Sequence, residues 1–312
     1  MKALFQKHRN ETILAMIFLV LFVFFSFASR NFFKLSNVMN LFSQMVTLAF
    51  LTLGMAASMI SGGMDLSIGA ICSMCTVLCA TFVGRLGMPT ASALLITLLI
   101  TVACGLFNGF MIGYCKINAM LVTLGTQSLY TGIGLVISQG VTVPIPLDRF
   151  ALFGRTRLFG FFPVEILILI CGIVAAVLVF SFLIPGRRIY LIGANPQVAR
   201  FAGINIASNI LVTYVFSAVC AFLGAIVLAS RVASGRADVA AALVLKSVSA
   251  AVFGGVSTLG GIGTMAGAIL GVAVIQIVTN GMDMMNFSTY LQQISIGAML
   301  LIVLAFRHRK RR

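Results

Sequence analysis

The chain of 312 residues contains no tryptophan, two histidines, six prolines and six acidic residues. Both histidines, His8 and His308, stand in basic ends of the chain, so no internal histidine is available to hold a metal or to shuttle a proton. The acids are Glu11, Asp65, Asp148, Glu165, Asp238 and Asp283, and no two fall close together within an apolar run. That spacing offers no carboxylate pair for acid/base work and argues against a membrane-embedded enzyme. No G-x-x-x-x-G-K-[ST] occurs anywhere, so a P-loop nucleotide site is excluded. With 9% charged against 61% hydrophobic residues, and a mean hydropathy of +1.14, too little polar surface remains to cover a soluble globule. Disordered and fibrous classes are excluded by the same composition.

What is present is lipid-compatible sequence. Polar and Gly/Pro punctuation cuts the chain into about ten apolar segments, each near the ~20 residues a spanning helix needs. They lie near 13–29, 38–60, 66–83, 91–113, 118–138, 164–184, 207–229, 239–256, 264–282 and 288–306. The expected fold is an all-α integral membrane protein, a single transmembrane domain over 1–312. The first segment lacks an A-x-A cleavage site and reads as a retained span. Ten spans put Lys2, Lys7, Arg9, Lys116, Arg187, Arg188, Arg200 and the tail RHRKRR on one face, twelve positive charges against eight opposite. The positive-inside bias makes that face, with both termini, cytoplasmic, so the net charge of +15 reads as topology and not as nucleic-acid binding.

Of the seven cysteines, Cys72-x2-Cys75-x3-Cys79 superficially resembles a metal cluster, but no second pair follows at zinc spacing. They read as small buried hydrophobes, and no metal site is expected. Two glycine ladders stand out: Gly105-x3-Gly109-x3-Gly113 and Gly263-x3-Gly267-x3-Gly271. Glycines four apart line one helix face and admit a close neighbour. The topology runs the two ladders in opposite directions, as an inverted repeat of 38–138 and 207–306 requires.

Three segments interrupt the apolar pattern. In SGGMDLSIGA, residues 61–70, Gly62-Gly63 breaks the run and Asp65 is the acid most deeply set in apolar sequence. Either Asp65 or Ser67 caps the helix running from Leu66, or a broken helix lines a solute path; the two readings are compatible. In PGRRIYLIGANPQVARFAGIN, residues 185–205, Asn195 suits an N-cap, Pro196 the first helical position and Gly203 the position just past the end. A short surface helix over 196–202 is expected, either a solvated anchor through Arg187, Arg188 and Arg200 or a docking helix for a partner. In AAVFGGVSTLGGIGTMAGAILG, residues 250–271, the glycines suit a flexible turn or re-entrant element. Lys246 is the lone positive charge inside an expected span; it snorkels, pairs with an acid such as Asp238, or lines a hydrated cavity.

Together these segments resemble the membrane subunits of bacterial ABC importers of the ribose and related-sugar type, including autoinducer-2 permeases. The resemblance is carried by Ser61-Gly-Gly-Met-Asp-Leu-Ser67, by Gly186-Arg-Arg-Ile-Tyr190, by Gly193 through Asn205, and by Ala250 through Gly263. Asn280-Gly281 and Tyr290-Leu-Gln-Gln293 follow at familiar distances. One departure is Lys246, where the family commonly has an Asp. The resemblance implies a subunit that is not itself an enzyme, in the bacterial inner membrane, translocating a sugar or sugar-like solute. Its implied partners are a second permease chain, identical or related, cytoplasmic ABC ATPase subunits carrying ATP and Mg, a periplasmic solute-binding protein, and lipid. It implies no cofactor on this chain. It implies a coupling loop at 185–206, with Gly193, Asn195, Pro196, Ala199, Arg200 and Gly203 engaging the ATPase, and a path near Gly62, Gly63, Asp65, Ser67, Lys246 and Asn280. The competing reading is a self-powered secondary transporter or facilitator of a small polar solute, with Asp65 and Lys246 as the ion-coupling pair.

Overall fold

The computed structural model describes residues 9–29 and 31–309. Lys2, Lys7 and residues 310–312, which entered the charge tally, lie outside them. Twelve α-helices of six or more residues organise the described chain: α1 Arg9–Ala28, α2 Leu35–Ile60, α3 Ile68–Cys79, α4 Thr90–Gly113, α5 Ala119–Ser138, α6 Val164–Val177, α7 Ile184–Ala194, α8 Pro196–Phe201, α9 Ile206–Val232, α10 Ala241–Phe253, α11 Met265–Met284 and α12 Thr289–Arg309. Wider π turns, Ala80–Arg85 and Leu178–Phe182, extend α3 and α6. Among the described residues, eight of these helices are long and apolar enough to cross a membrane: α1, α2, extended α3, α4, α5, extended α6, α9 and α11. The eighth expected span, 239–256, is shorter in the structure. Its 13 residues in α10 rise only about 20 Å, less than a hydrocarbon core.

Packing explains which apolar stretch goes where. α2 is the hub: 89% of its most apolar window is buried, against 11% for α1 at the rim. Its sequence is apolar or small on every side from Met45 to Ile60, as a helix surrounded by others requires. α4 instead buries one stripe, Ala93, Thr97, Thr101, Gly105, Asn108, Gly109 and Gly113. The first glycine ladder lies in that stripe. A Cβ on Gly109 would stand 2.6 Å from the Leu211 Cα of α9, and one on Gly113 2.7 Å from the Ala207 carbonyl oxygen. The second ladder is shorter than expected. Gly267 and Gly271 pack against the Gly254 and Ala250 carbonyls, but Gly263 precedes the helix, because Thr264 is its N-cap and accepts from the Gly267 N–H at 2.9 Å. α4 packs on α9 and α11 on α2.

Thr264 Oγ donates to Glu11 of α1 at 2.7 Å, which sets the start of α1 on the same face as α7, α8 and the 257–263 loop. The opposite face carries a thin layer in which β1, Val143–Pro144, pairs antiparallel with β4, Ser234–Gly235, while β2, Arg157–Leu158, pairs with β3, Phe162–Pro163. Cations there have a structural use. Arg85 donates to the Ile137 and Ser138 carbonyls at the end of α5, Arg155 to Arg231 O at the end of α9, Arg149 to Gly87 O and Arg231 to Ser43 O. Positive charge at a helix C-terminus complements its free carbonyls, so much of the charge on this face is bound to the protein itself.

Candidate functional site

The break between α2 and α3 is built by two glycines. Gly62, at φ +94°, takes the left-handed position past the end of α2, with Gly62 N–H donating to Met59 O and Gly63 N–H to Ser58 O. This pair of bonds caps the last turn of α2. Gly63 has no room for a side chain: a Cβ would stand 2.7 Å from the Tyr214 hydroxyl and 2.9 Å from Ala119 Cβ. The chain therefore turns sharply enough to put Asp65 inside the bundle, with no solvent-exposed surface.

A carboxylate at that depth needs donors, and Ser67 and Ser217 supply them. Asp65 Oδ1 accepts from Ser67 N–H at 3.1 Å and Ser67 Oγ at 2.6 Å, and Oδ2 accepts from Ser217 Oγ of α9 at 2.6 Å. Asn108 of α4 donates to Ser67 Oγ at 2.9 Å, and the Tyr130 hydroxyl of α5 donates to Asn108 Oδ1 at 3.2 Å. Asp65 N–H donates to Ser58 Oγ of α2 at 3.2 Å. Ser217, Asn108 and Ser67 are fully buried as well. α3 begins at Ile68, two residues later than expected, and Ser67 stands at its N-cap without a side-chain capping bond. Its hydroxyl is committed to Asp65 instead. The cluster is thus an internal polar clamp on four spans at a helix break, closed to solvent. Nothing nearby in sequence announces Ser217, Asn108 or Tyr130; each becomes a partner only through helix packing.

The other expected path residues lie elsewhere. Asn280 of α11 exchanges amide bonds with Asn37 of α2, at 3.0 and 3.2 Å, and Gln276 donates to Gln44 at 2.8 Å. Two amide pairs along antiparallel helices act as interhelical glue, each bond worth about 0.6 and at most about 2 kcal/mol. A double-mutant cycle with Asn37→Leu and Asn280→Leu, read from thermal unfolding in mild detergent, should therefore give a coupling of about 1 kcal/mol; additive effects would contradict this role. Lys246, half-buried on α10, does not pair with Asp238, which is bound to Arg236 at 2.5 Å. The acid acting on it is Asp283 of α11. Lys246 and Asn280 are therefore no part of the Asp65 cluster.

The 185–206 segment folds into two helices. Asn195 caps α8, its Oδ1 accepting from Gln197 and Val198 N–H at 3.0 and 3.2 Å, and Pro196 occupies the first position. Gly203, at φ +73°, follows the end, one residue after Ala202. Ala199 is fully buried, whereas Val198 is 49% and Phe201 91% exposed. The outward-facing apolar residues are thus Val198 and Phe201, and Ala199, expected to engage a partner, faces inward. Gly193, at the end of α7, is wedged against the Ile60 carbonyl of α2, where a Cβ would also stand 2.6 Å from Gly261 N. Gly261 N–H donates to Ile60 O at 2.9 Å, and the Tyr190 hydroxyl donates to Gly263 O at 2.8 Å. The last turn of α2, the end of α7 and the 257–263 loop meet at this glycine contact, a few residues from Asp65.

The model of the family described as branched-chain amino acid transport system / permease component matches residues 37–304. The chain belongs to that family. Among similar proteins is the autoinducer 2 import system permease protein LsrD of Photorhabdus luminescens, 29% identical over 311 residues, covering 97% of this chain and 92% of that protein. LsrC of Yersinia enterocolitica, named as a permease of the same kind of system, is 33% identical over 310 residues, covering 98% of this chain and 84% of the relative. No solved structure matches the chain. The ribose and autoinducer-2 resemblance of the SGGMDLS, 193–205 and 250–263 segments therefore stands, and the chain is a multi-pass permease of the bacterial inner membrane.

Proposed function

We propose that this permease is the membrane-spanning subunit of a binding-protein-dependent ABC importer, moving a sugar or sugar-like solute into the cytoplasm while separate subunits hydrolyse ATP. The observation that carries the reading is α8: a capped surface helix with Phe201 projecting from it, tied through Gly193 to the end of α2. A helix held that rigidly transmits force to the spans as a body. In this reading 185–206 is the coupling loop, α8 seats in a groove on the ATPase, and its face of the membrane, with both termini, is cytoplasmic. Lys116, Arg187, Arg188 and Arg200, exposed on that face, agree with the positive-inside bias. Gly193, Asn195, Pro196, Ala199 and Gly203 shape the helix; Val198, Phe201 and Arg200 touch the partner. ATP and Mg belong to the ATPase, and this chain holds no cofactor of its own. A periplasmic binding protein meets the opposite face, and a second permease chain, identical or related, completes the path. The autoinducer-2 relatives favour a sugar-like solute.

The self-powered alternative needs an ion-coupling pair. Asp65 has its oxygens occupied by Ser67 and Ser217, and Lys246 lies on another helix beside a different acid, which favours an external energy source. The test is purification of the chain with its genomic neighbours: an ATPase subunit should co-purify, and a lone chain that moves solute down an ion gradient would sink the proposal. Tyr190→Phe adds a finer readout. Burial pushes the Tyr190 phenol up to about 12, so the donor to Gly263 O persists across the physiological pH range. The variant should keep its ATPase but import several-fold less solute per ATP, on the scale of one lost hydrogen bond, about 1 kcal/mol, equally at pH 6 and pH 8.

A further inference from the structure

Most strongly polar side chains at membrane depth in this permease are closed off by their own neighbours. Asp65 and Ser67 are satisfied within the clamp, Asn280 by Asn37, and Gln276 by Gln44. Lys246 is different. It is half-buried, and its ammonium makes no hydrogen bond or ion pair with the described residues. It stands five residues into α10, about 8 Å along the axis from the first residue, on a helix too short to span the bilayer. Ala242 and Leu245 share its exposed side, while Val244, Ser247, Ser249 and Ala250 face the bundle. The acid that acts on it, Asp283, is itself exposed and accepts from Gln292 Nε2 at 2.6 Å, so part of its capacity is taken.

An ammonium among membrane helices faces protein or a water-filled cavity, or snorkels to the interface, because hydrocarbon penalises it. Short helices that end inside the membrane are found where backbone borders such a cavity. We propose that Lys246 lies on the hydrated solute path and makes it selective for a solute carrying a negatively charged group. Three free N–H donors on a positive centre match a carboxylate or phosphate oxygen. As a point charge on a flexible stem, Lys246 attracts the anion without fixing its orientation, which suits passage better than retention. The proposal rests on the permease reading, and it extends that reading from sugar-like solutes to acidic ones.

The test needs no identified solute. A cysteine is introduced by Ala242→Cys, one turn from Lys246 on the same side, in the complete transporter in nanodiscs, with the exposed Cys115 and Cys171 replaced by serine. Modification rates are measured with 2-sulfonatoethyl methanethiosulfonate, an anion, and 2-(trimethylammonium)ethyl methanethiosulfonate, a cation; the chain lacking Ala242→Cys gives the background. The anion-to-cation rate ratio should fall about tenfold in Lys246→Gln and persist in Lys246→Arg, the scale of local electrostatic focusing. Both rates should also change severalfold between nucleotide-free and vanadate-trapped transporter. An unreactive reporter, a ratio indifferent to Lys246→Gln, or rates indifferent to trapping, as for a lysine at the lipid interface, would each overturn the proposal. If no ATPase joins the complex, the permease reading is what fails, and the ratio is still measured on the lone chain.

Discussion

Replacing Phe201 by aspartate is expected to detach the ATPase while leaving the permease folded. Phe201 is 91% exposed at the end of α8, and its side chain has little of the bundle to support. A protruding aromatic on a surface helix is the kind of anchor that carries most of an interface's energy, at 2–4 kcal/mol for its loss. Placing a charge in the receiving pocket adds desolvation, so affinity should drop on the order of 100-fold or more. Co-purification would be lost, while the thermal midpoint of the permease alone moves by less than about 2 °C, as for other surface substitutions. Ala199→Asp serves as the contrast. Ala199 is fully buried beneath α8, so that change should damage the fold and the complex together. Retention of the ATPase by the Phe201→Asp variant would remove α8 from the interface.

Replacing Asp65 by leucine should be the most damaging single change in the bundle. It removes the acceptor of Ser67 N–H, Ser67 Oγ and Ser217 Oγ together. Three buried donors without partners, each worth about 1–3 kcal/mol, imply a loss on the order of 4 kcal/mol. The unfolding midpoint should fall on the order of 10 °C in detergent, with poor membrane yield. Asp65→Asn is the informative companion, because its carbonyl can still accept from Ser67 while the amide meets the rotatable Ser217 hydroxyl. It should cost about 1 kcal/mol and leave transport largely intact. Loss of transport in a well-folded Asp65→Asn variant would mean that the carboxylate itself handles the solute or a coupling ion.

Much of the architecture was legible because membrane helices write their length and faces into the chain. The α4 ladder predicted close approach of a neighbour, and the structure supplies α9; Asn195, Pro196 and Gly203 bounded α8 to within one residue. Partners were not legible. Asp65 announced itself as a buried acid, but its donor Ser217 is 152 residues away, and a serine within an apolar run carries no local signal. Asn280 reads as a path residue in the sequence, while its bond to Asn37, 243 residues earlier, has no local signal. Gly263 matched the ladder's spacing but falls outside the helix, since Thr264 captures the N-cap. On the opposite face Arg85, Arg149, Arg155 and Arg231 donate to backbone carbonyls far away in sequence, partners that a charge count cannot show. In each case periodicity and capping, which are local, could be read, whereas pairing across spans waited on the packing.

The measurement that bears most directly on the central claim is solute uptake into proteoliposomes holding this permease and its ATPase, with the binding protein and candidate sugars outside and ATP enclosed. Uptake that requires enclosed ATP, stops when the ATPase's own nucleotide site is disabled, and persists when ionophores collapse all ion gradients is the predicted result. Uptake that survives without ATP but vanishes with the ion gradient would contradict it.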